Sequence, residues 1–541
     1  MKKKDLVLIL ARGGSKSIAR LNLRLINGKP LLYYILNTAL KLKVGDIYVS
    51  TDSEEIKQLT IMYGGKVIPR PKFLTKNSTL VEDIIEHALS YLAKQNLTYE
   101  KCLVTSPIFP LLKATTIRRF LHHTSSNKHT IFGFVKHDND YGKIRMGNDI
   151  EKISSLKDNI VIIKKIVSIY VSRFARTKKF QKPFHGVELS RDESIMINDY
   201  HDLNTIEKII QRKKILIRVD GDHSIGLGHV YNMLTILNYL RNNEILIVMN
   251  SKRDIGSYKF KEHNYNIKYF DTEPKLFKII EKFKPDIVFN DILDTKSFYI
   301  KKLKKFNCLI INFEDLGKGS NFADLVFNPI YYSNKNHSKK FFGSKYACVR
   351  DEFRLWNVKP VAKKVKKILI TFGGTDPNNV IMKILEILKD SKLFGIEFTV
   401  VLTIGNSHKE EICEMVSKMR FDGFTIKIVK KSDIMAKYIA DSDFVITSNG
   451  RTVFEVASLK VPMITISTNS REEKHPFPKY SGGAIPLGNI SKSAPKTLMN
   501  AIKKMMRYET RKKMAKNLHK YDLLNGVQEI IRIINTKNAQ I

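Results

Sequence analysis

At 541 residues the chain is too long for one hydrophobic core, so two or three domains are expected. Apolar residues at 43% and charged residues at 27% exclude a disordered protein. The formal net charge of +40 favours anionic ligands, but the lysines are spread along the chain and no nucleic-acid module is recognisable, so nucleic acid is not the expected partner.

The amino-terminal apolar run stops at Ala11-Arg12-Gly13-Gly14, too soon for a signal peptide or a membrane span. A cytoplasmic location without integral membrane contact is expected. Four cysteines (Cys102, Cys308, Cys348 and Cys413) have no paired spacing and read as inert thiols. Apolar strand candidates at 6–10, 46–50, 101–105, 215–219, 245–249, 287–290, 308–312, 367–371, 398–403 and 444–447 alternate with helical stretches. That alternation predicts an α/β chain of parallel sheets covered by helices. A basic lead-in, an apolar strand and a glycine-containing loop begin the chain and recur at 213–221 and 366–374. The chain is therefore divided into 1–212, 213–360 and 361–541, with a helix over 202–212 as a stiff junction.

After the first strand, Arg12, Lys16, Arg20 and Arg24 put four cations within thirteen residues around Gly13 and Gly14. Two glycines let backbone N–H groups approach a phosphate, and the cations hold a triphosphate while pyrophosphate leaves. A plain basic turn is the alternative reading. The run Ala11-Arg12-Gly13-Gly14-Ser15-Lys16, followed by Arg20, Asn22 and Gly28-Lys29-Pro30-Leu31, resembles the acylneuraminate cytidylyltransferases. Further matches are 49–56, Arg70-Pro71 and Thr105-Ser106-Pro107, so the likeness covers about 4–212.

The resemblance implies a Rossmann-like nucleotide-diphospho-sugar transferase domain, in which a sugar hydroxyl attacks the α-phosphate of CTP with Mg²⁺ bridging the phosphates. It makes Arg12 and Lys16 catalytic and assigns Ala11, Gly13, Gly14, Arg20, Asn22, Arg24, Arg70 and Ser106 to the nucleotide. A homodimer through this domain is the matching assembly. Departures are Leu103, Phe109, Arg24 and, where the family has a metal-binding Asp-x-Asp, Met196 and Asn198. Asp199, or else Asp202, is the candidate metal ligand in their place, with a turn residue and a helix cap as the other readings.

Past 213, glycines 226 and 228 allow a tight turn that presents His229 at a helix start, where the helix dipole favours a neutral imidazole. Two later loops, Phe372-Gly373-Gly374-Thr375-Asp376-Pro377 and Ser448-Asn449-Gly450-Arg451-Thr452, follow strands and suit a diphosphate, with Glu455 placed for ribose hydroxyls. Together with Asp291, Asn328, Tyr346, Glu352-Phe353 and Thr452, these segments resemble the UDP-2,4-diacetamido-2,4,6-trideoxy-β-L-altropyranose hydrolase family of pseudaminic acid biosynthesis, over about 213–490.

That likeness implies a two-lobed glycosyltransferase-B type fold in which His229 activates water and UDP leaves with inversion. Gly373, Gly374, Asn449, Gly450, Thr452 and Glu455 would bind the nucleotide; Asp220, Gly228, Asp291 and Asn328 would bind the sugar substrate. No cofactor is expected for this half. Asn232 and the loop 471–475 depart from the family pattern. The combined expectation is a bifunctional enzyme using CTP, a nonulosonic acid and a UDP-sugar. A non-catalytic first domain and a glycosyltransferase second half are the alternatives.

Overall fold

A computed structural model describes residues 4–15, 17–42, 45–76, 78–122, 130–134, 170–173, 184–222, 226–335, 337–373, 376–391, 393–403, 405–430, 434–489 and 495–538. The chain forms two compact units, Met1–Arg212 and Lys213–Ile541.

In the first unit the sheet runs Lys66–Pro69, Asp46–Thr51, Lys4–Leu10, Tyr99–Thr105, Tyr170–Arg173; only the last strand is antiparallel. The apolar run of the central strand is continuous because both of its faces are covered. Val7 and Ile9 pack with Leu32, Ile35 and Leu36 of the helix Leu31–Lys41, while Leu6 and Leu8 pack with Ala88 and Leu92 of Val81–Ala93. A separate parallel pair joins Thr130–Phe134 to Phe184–Glu188.

The second unit contains two all-parallel sheets. One runs Ile267–Phe270, Glu244–Asn250, Lys214–Val219, Ile287–Asp291, Leu309–Phe313, Leu325–Asn328, Lys340–Phe342. The other runs Thr425–Val429, Glu397–Val401, Lys367–Thr371, Phe444–Ser448, Met463–Ser467, Ala484–Asn489. The lobes are tied together at both ends. Ile330, Tyr331, Val349 and Phe353 join the core under the second sheet, and Val527, Ile530 and Ile534 of the terminal helix Gly526–Asn538 return to the core of the first. This is the two-lobed glycosyltransferase-B architecture.

The three larger sheets share one property. The central strand carries its sequence successors on one side and later strands on the other, so the chain reverses direction of winding beside it. A crevice opens at the carboxyl ends of the two strands flanking that reversal, the usual ligand position in such sheets. Those strands are Lys4–Leu10 with Tyr99–Thr105, Lys214–Val219 with Ile287–Asp291, and Lys367–Thr371 with Phe444–Ser448. Among the described residues no helix is long and apolar enough to cross a membrane.

Candidate functional site

The first crevice is a cleft of about 420 Å³ whose lining includes Arg12, Gly14, Asn22, Arg70, Ser106 and Asn198. Ala11 is buried at the strand end, where its N–H donates to Ser50 O at 3.1 Å. Gly13 N–H donates to Asp52 Oδ1 at 2.8 Å. Asn22 Nδ2 donates to Arg12 O at 2.9 Å and so fixes the loop that carries Arg12.

Arg70 is buried, with neutral partners: Nε donates to Ser50 Oγ at 3.1 Å and Nη2 to Ser50 O at 2.7 Å. Burial pushes its guanidinium down to about 10; Asp52 opposes the fall and Arg12 reinforces it. Two neighbouring cations, one of them desolvated, lie near the carboxylate of Asp52, and a bound anion would add to its favourable charge.

Two of the expected phosphate ligands turn elsewhere. Arg20 adopts a left-handed φ of 56° and pairs with Glu55 at 2.5 Å. Arg24 donates to Ala19 O at 3.1 Å and to Tyr200 Oη at 3.4 Å. Neither lines the cleft. Lys16 lies outside the described residues.

The donors near Asp199 do not fit a protein-held Mg²⁺. Asp199 caps the helix Tyr200–Ile210, its Oδ1 accepting from Asp202 N–H at 3.0 Å. Asp202 Oδ2 in turn accepts from Asn198 N–H and Nδ2 at 2.8 and 3.1 Å. Met196 offers only a thioether, a poor ligand for this hard ion. Among the described residues no three His, Cys, Asp or Glu side chains converge on a metal position.

In the second unit the two crevices face each other across a cavity of about 120 Å³. Its lining includes Gly228, Tyr231, Asn232, Glu314, Arg350, Gly373, Arg451, Thr452 and Glu455. His229 is the second residue of the helix Gly228–Leu237, and Asp291 ends the neighbouring strand. His229 Nδ1 lies 2.5 Å from Asp291 Oδ1, while Asn232 Nδ2 donates to Oδ2 at 2.7 Å. Burial alone would push the Asp291 carboxyl up, but His229, Arg451 and Asn232 hold it below the ordinary carboxylate range. Asp291, expected among the sugar contacts, is thus fully buried behind His229 and orients it.

The opposite lobe sends two charged side chains across, Arg451 and Arg471, while Glu455 holds Arg350 at the cavity wall. Arg451 Nε donates to Glu314 Oε1 at 2.7 Å, and its Nη2 lies 2.9 Å from His229 Nδ1 and 3.4 Å from Asp291 Oδ1. Arg471 donates to Asp294, Tyr331 Oη and Glu314 O at 2.7, 3.1 and 2.9 Å. Glu455 accepts from Arg350 Nε at 2.9 Å.

The remaining predicted residues divide. Gly228, Gly373, Thr452 and Glu455 line the cavity; Gly373 has a φ of 65°, open to glycine. Asn449 and Gly450 do not line the cavity: Asn449 is buried with Nδ2 donating to Glu472 O at 2.7 Å, and Gly450 backs onto Glu472 so closely that a Cβ would meet its Oε1 at 3.0 Å. Asp220 and Asn328 are buried and do not line the cavity. Gly374 lies outside the described residues. Glu314 and Arg350 are candidate side chains that the sequence did not mark, whereas Arg451 lay in a loop expected to suit a diphosphate but was given no role of its own. Glu314 lies two residues past a predicted strand and directly after the observed one, a signal that could have found it; Arg350 carries none.

A family model described as Cytidylyltransferase matches residues 6–309, running past Arg212 into the second unit. The Glycosyltransferase family 28 C-terminal domain matches residues 368–530. An uncharacterized protein of Methanocaldococcus jannaschii is 32% identical over 279 residues, 48% of this chain and 57% of that protein. The pseudaminic acid cytidylyltransferase and UDP-2,4-diacetamido-2,4,6-trideoxy-beta-L-altropyranose hydrolase of Helicobacter pylori is 22% identical over 409 residues, 70% of this chain and 75% of that protein. The pseudaminic acid cytidylyltransferase of Campylobacter jejuni is 33% identical over 118 residues, 21% of this chain and 51% of that protein. The chain thus spans between about half and three quarters of the length of these relatives.

Proposed function

The chain belongs to the cytidylyltransferase family, and from that premise we propose a bifunctional enzyme of acidic-sugar metabolism. The first unit transfers CMP from CTP to a nine-carbon 2-keto sugar acid. The second hydrolyses a UDP-diacetamido-trideoxyhexose. The Helicobacter pylori relative, whose name joins the two activities, supports the pairing.

In the first reaction a sugar hydroxyl attacks the α-phosphate of CTP and pyrophosphate leaves. Arg12 and Arg70 hold the phosphate charge, and the glycines beside them admit the chain of phosphates close to the backbone. Mg²⁺ would enter bound to CTP, as part of the substrate.

In the second reaction the observation that carries the reading is the His229–Asp291 pair at the switch point of one lobe, facing the Gly450 loop of the other. With Nδ1–H donating to Asp291, Nε2 keeps its lone pair. It takes a proton from water as the oxygen attacks the anomeric carbon and UDP departs from the opposite side. Feeding the UDP-sugar without any acceptor should release UDP and the free hexose together. UDP release that requires an added acceptor would instead make this half a glycosyltransferase.

The capping role of Asp199, with Met196 and Asn198 beside it, favours a second reading in which the first unit binds nucleotide without transferring it. Pyrophosphate release by the full chain from CTP and a panel of nonulosonic acids separates the two. A homodimer through the first unit and a cytoplasmic location, where CTP and UDP-sugars are supplied, complete the proposal.

A further inference from the structure

The proposed base is covered. His229 is 3% exposed and does not line the interlobe cavity, whereas Gly228, Asn232 and Arg451 around it do. Arg451 is the cover, lying so close over Gly228 that a Cβ there would meet Nη1 at 2.6 Å. The cavity left, about 120 Å³, is well below the roughly 300 Å³ at which ligand sites begin. A sugar nucleotide enters only if the lobes part and this guanidinium moves.

The hydrogen bonding at His229 Nδ1 is contested as well. A guanidinium only donates. If Nδ1–H donates to Asp291 at 2.5 Å, then Arg451 Nη2 at 2.9 Å faces a nitrogen with no lone pair. If Nδ1 instead accepts from Arg451, the proton sits on Nε2, and the ring cannot act as a base there. Departure of Arg451 removes this conflict, leaving Asp291 as the lone partner of Nδ1 and fixing Nε2 as the acceptor.

Glu314 is built as the anchor of the closed arrangement. It is buried, holds a left-handed φ of 51°, and accepts Arg451 on its carboxylate and Arg471 on its carbonyl. A non-glycine residue kept in that conformation is strained, and such strain is concentrated at sites of function.

We infer that Arg451 exchanges partners: in the empty cleft it bridges Glu314 and the His229–Asp291 pair, and on substrate entry it moves to the β-phosphate of the nucleoside diphosphate sugar. The choice of phosphate follows from the chemistry. The base must lie next to the anomeric carbon, that carbon is bonded through oxygen to the β-phosphate, and Arg451 lies beside the base. Diphosphate binding and release of the base are then one event. The inference rests on the UDP-sugar reading of this cleft.

Calorimetric titration of the full chain with UDP and with UMP tests it. The unaltered protein should bind UDP more tightly than UMP. Arg451→Met should weaken UDP by about tenfold or more, the loss of one charge-assisted contact, and leave UMP little changed. Glu314→Gln, which removes the competing carboxylate, should tighten UDP, a gain that general damage to the fold does not produce. Equal weakening of UDP and UMP in Arg451→Met, or weaker UDP binding in Glu314→Gln, overturns the inference while leaving the UDP-sugar reading intact. Failure of the unaltered protein to bind either nucleotide removes both.

Discussion

Arg70 donates its hydrogen bonds to the neutral Ser50, with Asp52 and Arg12 both close by, so a bound phosphate adds an anion to a desolvated guanidinium. Arg70→Met should therefore weaken CTP binding by about tenfold or more without lowering the thermal midpoint, a combination that calorimetry and a melting curve read together. Asp199 calls for the opposite pattern. As a helix cap its replacement in Asp199→Ala should cost about 1 kcal/mol of stability, with the Mg²⁺ dependence of any pyrophosphate release unmoved; a changed metal requirement would make it a ligand after all. The glycine-and-cation loop at 11–14 was legible because its chemistry is written in adjacent residues. The directions of Arg20 and Arg24 were not, since their partners Glu55 and Tyr200 lie 35 and 176 positions away.

Strands and the loops that leave them account for most of what could be read in advance. Continuous apolar runs such as 6–9 announce strands buried on both faces, and a glycine loop after the first strand of each larger sheet marks the crevice. What patterning cannot show is which loops meet. Glu314 and Arg451 converge from different lobes across 137 positions, so neither stands out alone.

The turn at 472–475 is a case where burial sets a measurable property. His475 is buried with Nδ1–H donating to Asn449 O at 2.8 Å, and burial pushes its imidazole down to about 4. The unfolded chain therefore binds a proton that the folded one refuses. Its contribution to stability is complete above an ordinary histidine pKa of about 6.5 and is lost as the pH falls toward 4, by about 3 kcal/mol in all. Denaturant midpoints of the second unit measured across that range should decline with acid, and His475→Gln should flatten the decline. An unchanged slope would place the titrating group elsewhere.

The recurrence of a basic lead-in and strand at 213 coincides with the boundary between the compact units at Arg212 and Lys213. The return of the terminal helix was not legible, because an amphipathic stripe does not say which core it covers. Ile530 is fully buried among first-lobe residues. Ile530→Ala should cost about 2–5 kcal/mol, read as a lower melting temperature of the second unit, although the residue is almost the whole unit away in sequence from the strand Lys214–Val219. Two pyrimidine-nucleotide reactions in separate units imply separable chemistry, and the most direct measurement is a crossed assay on the full chain. Pyrophosphate release from CTP and UDP release from the UDP-sugar are followed in Arg70→Met and in His229→Ala. His229→Ala should lose UDP release by about 100-fold or more and keep pyrophosphate release, with Arg70→Met showing the reverse pattern. Undiminished UDP release in His229→Ala would contradict the account.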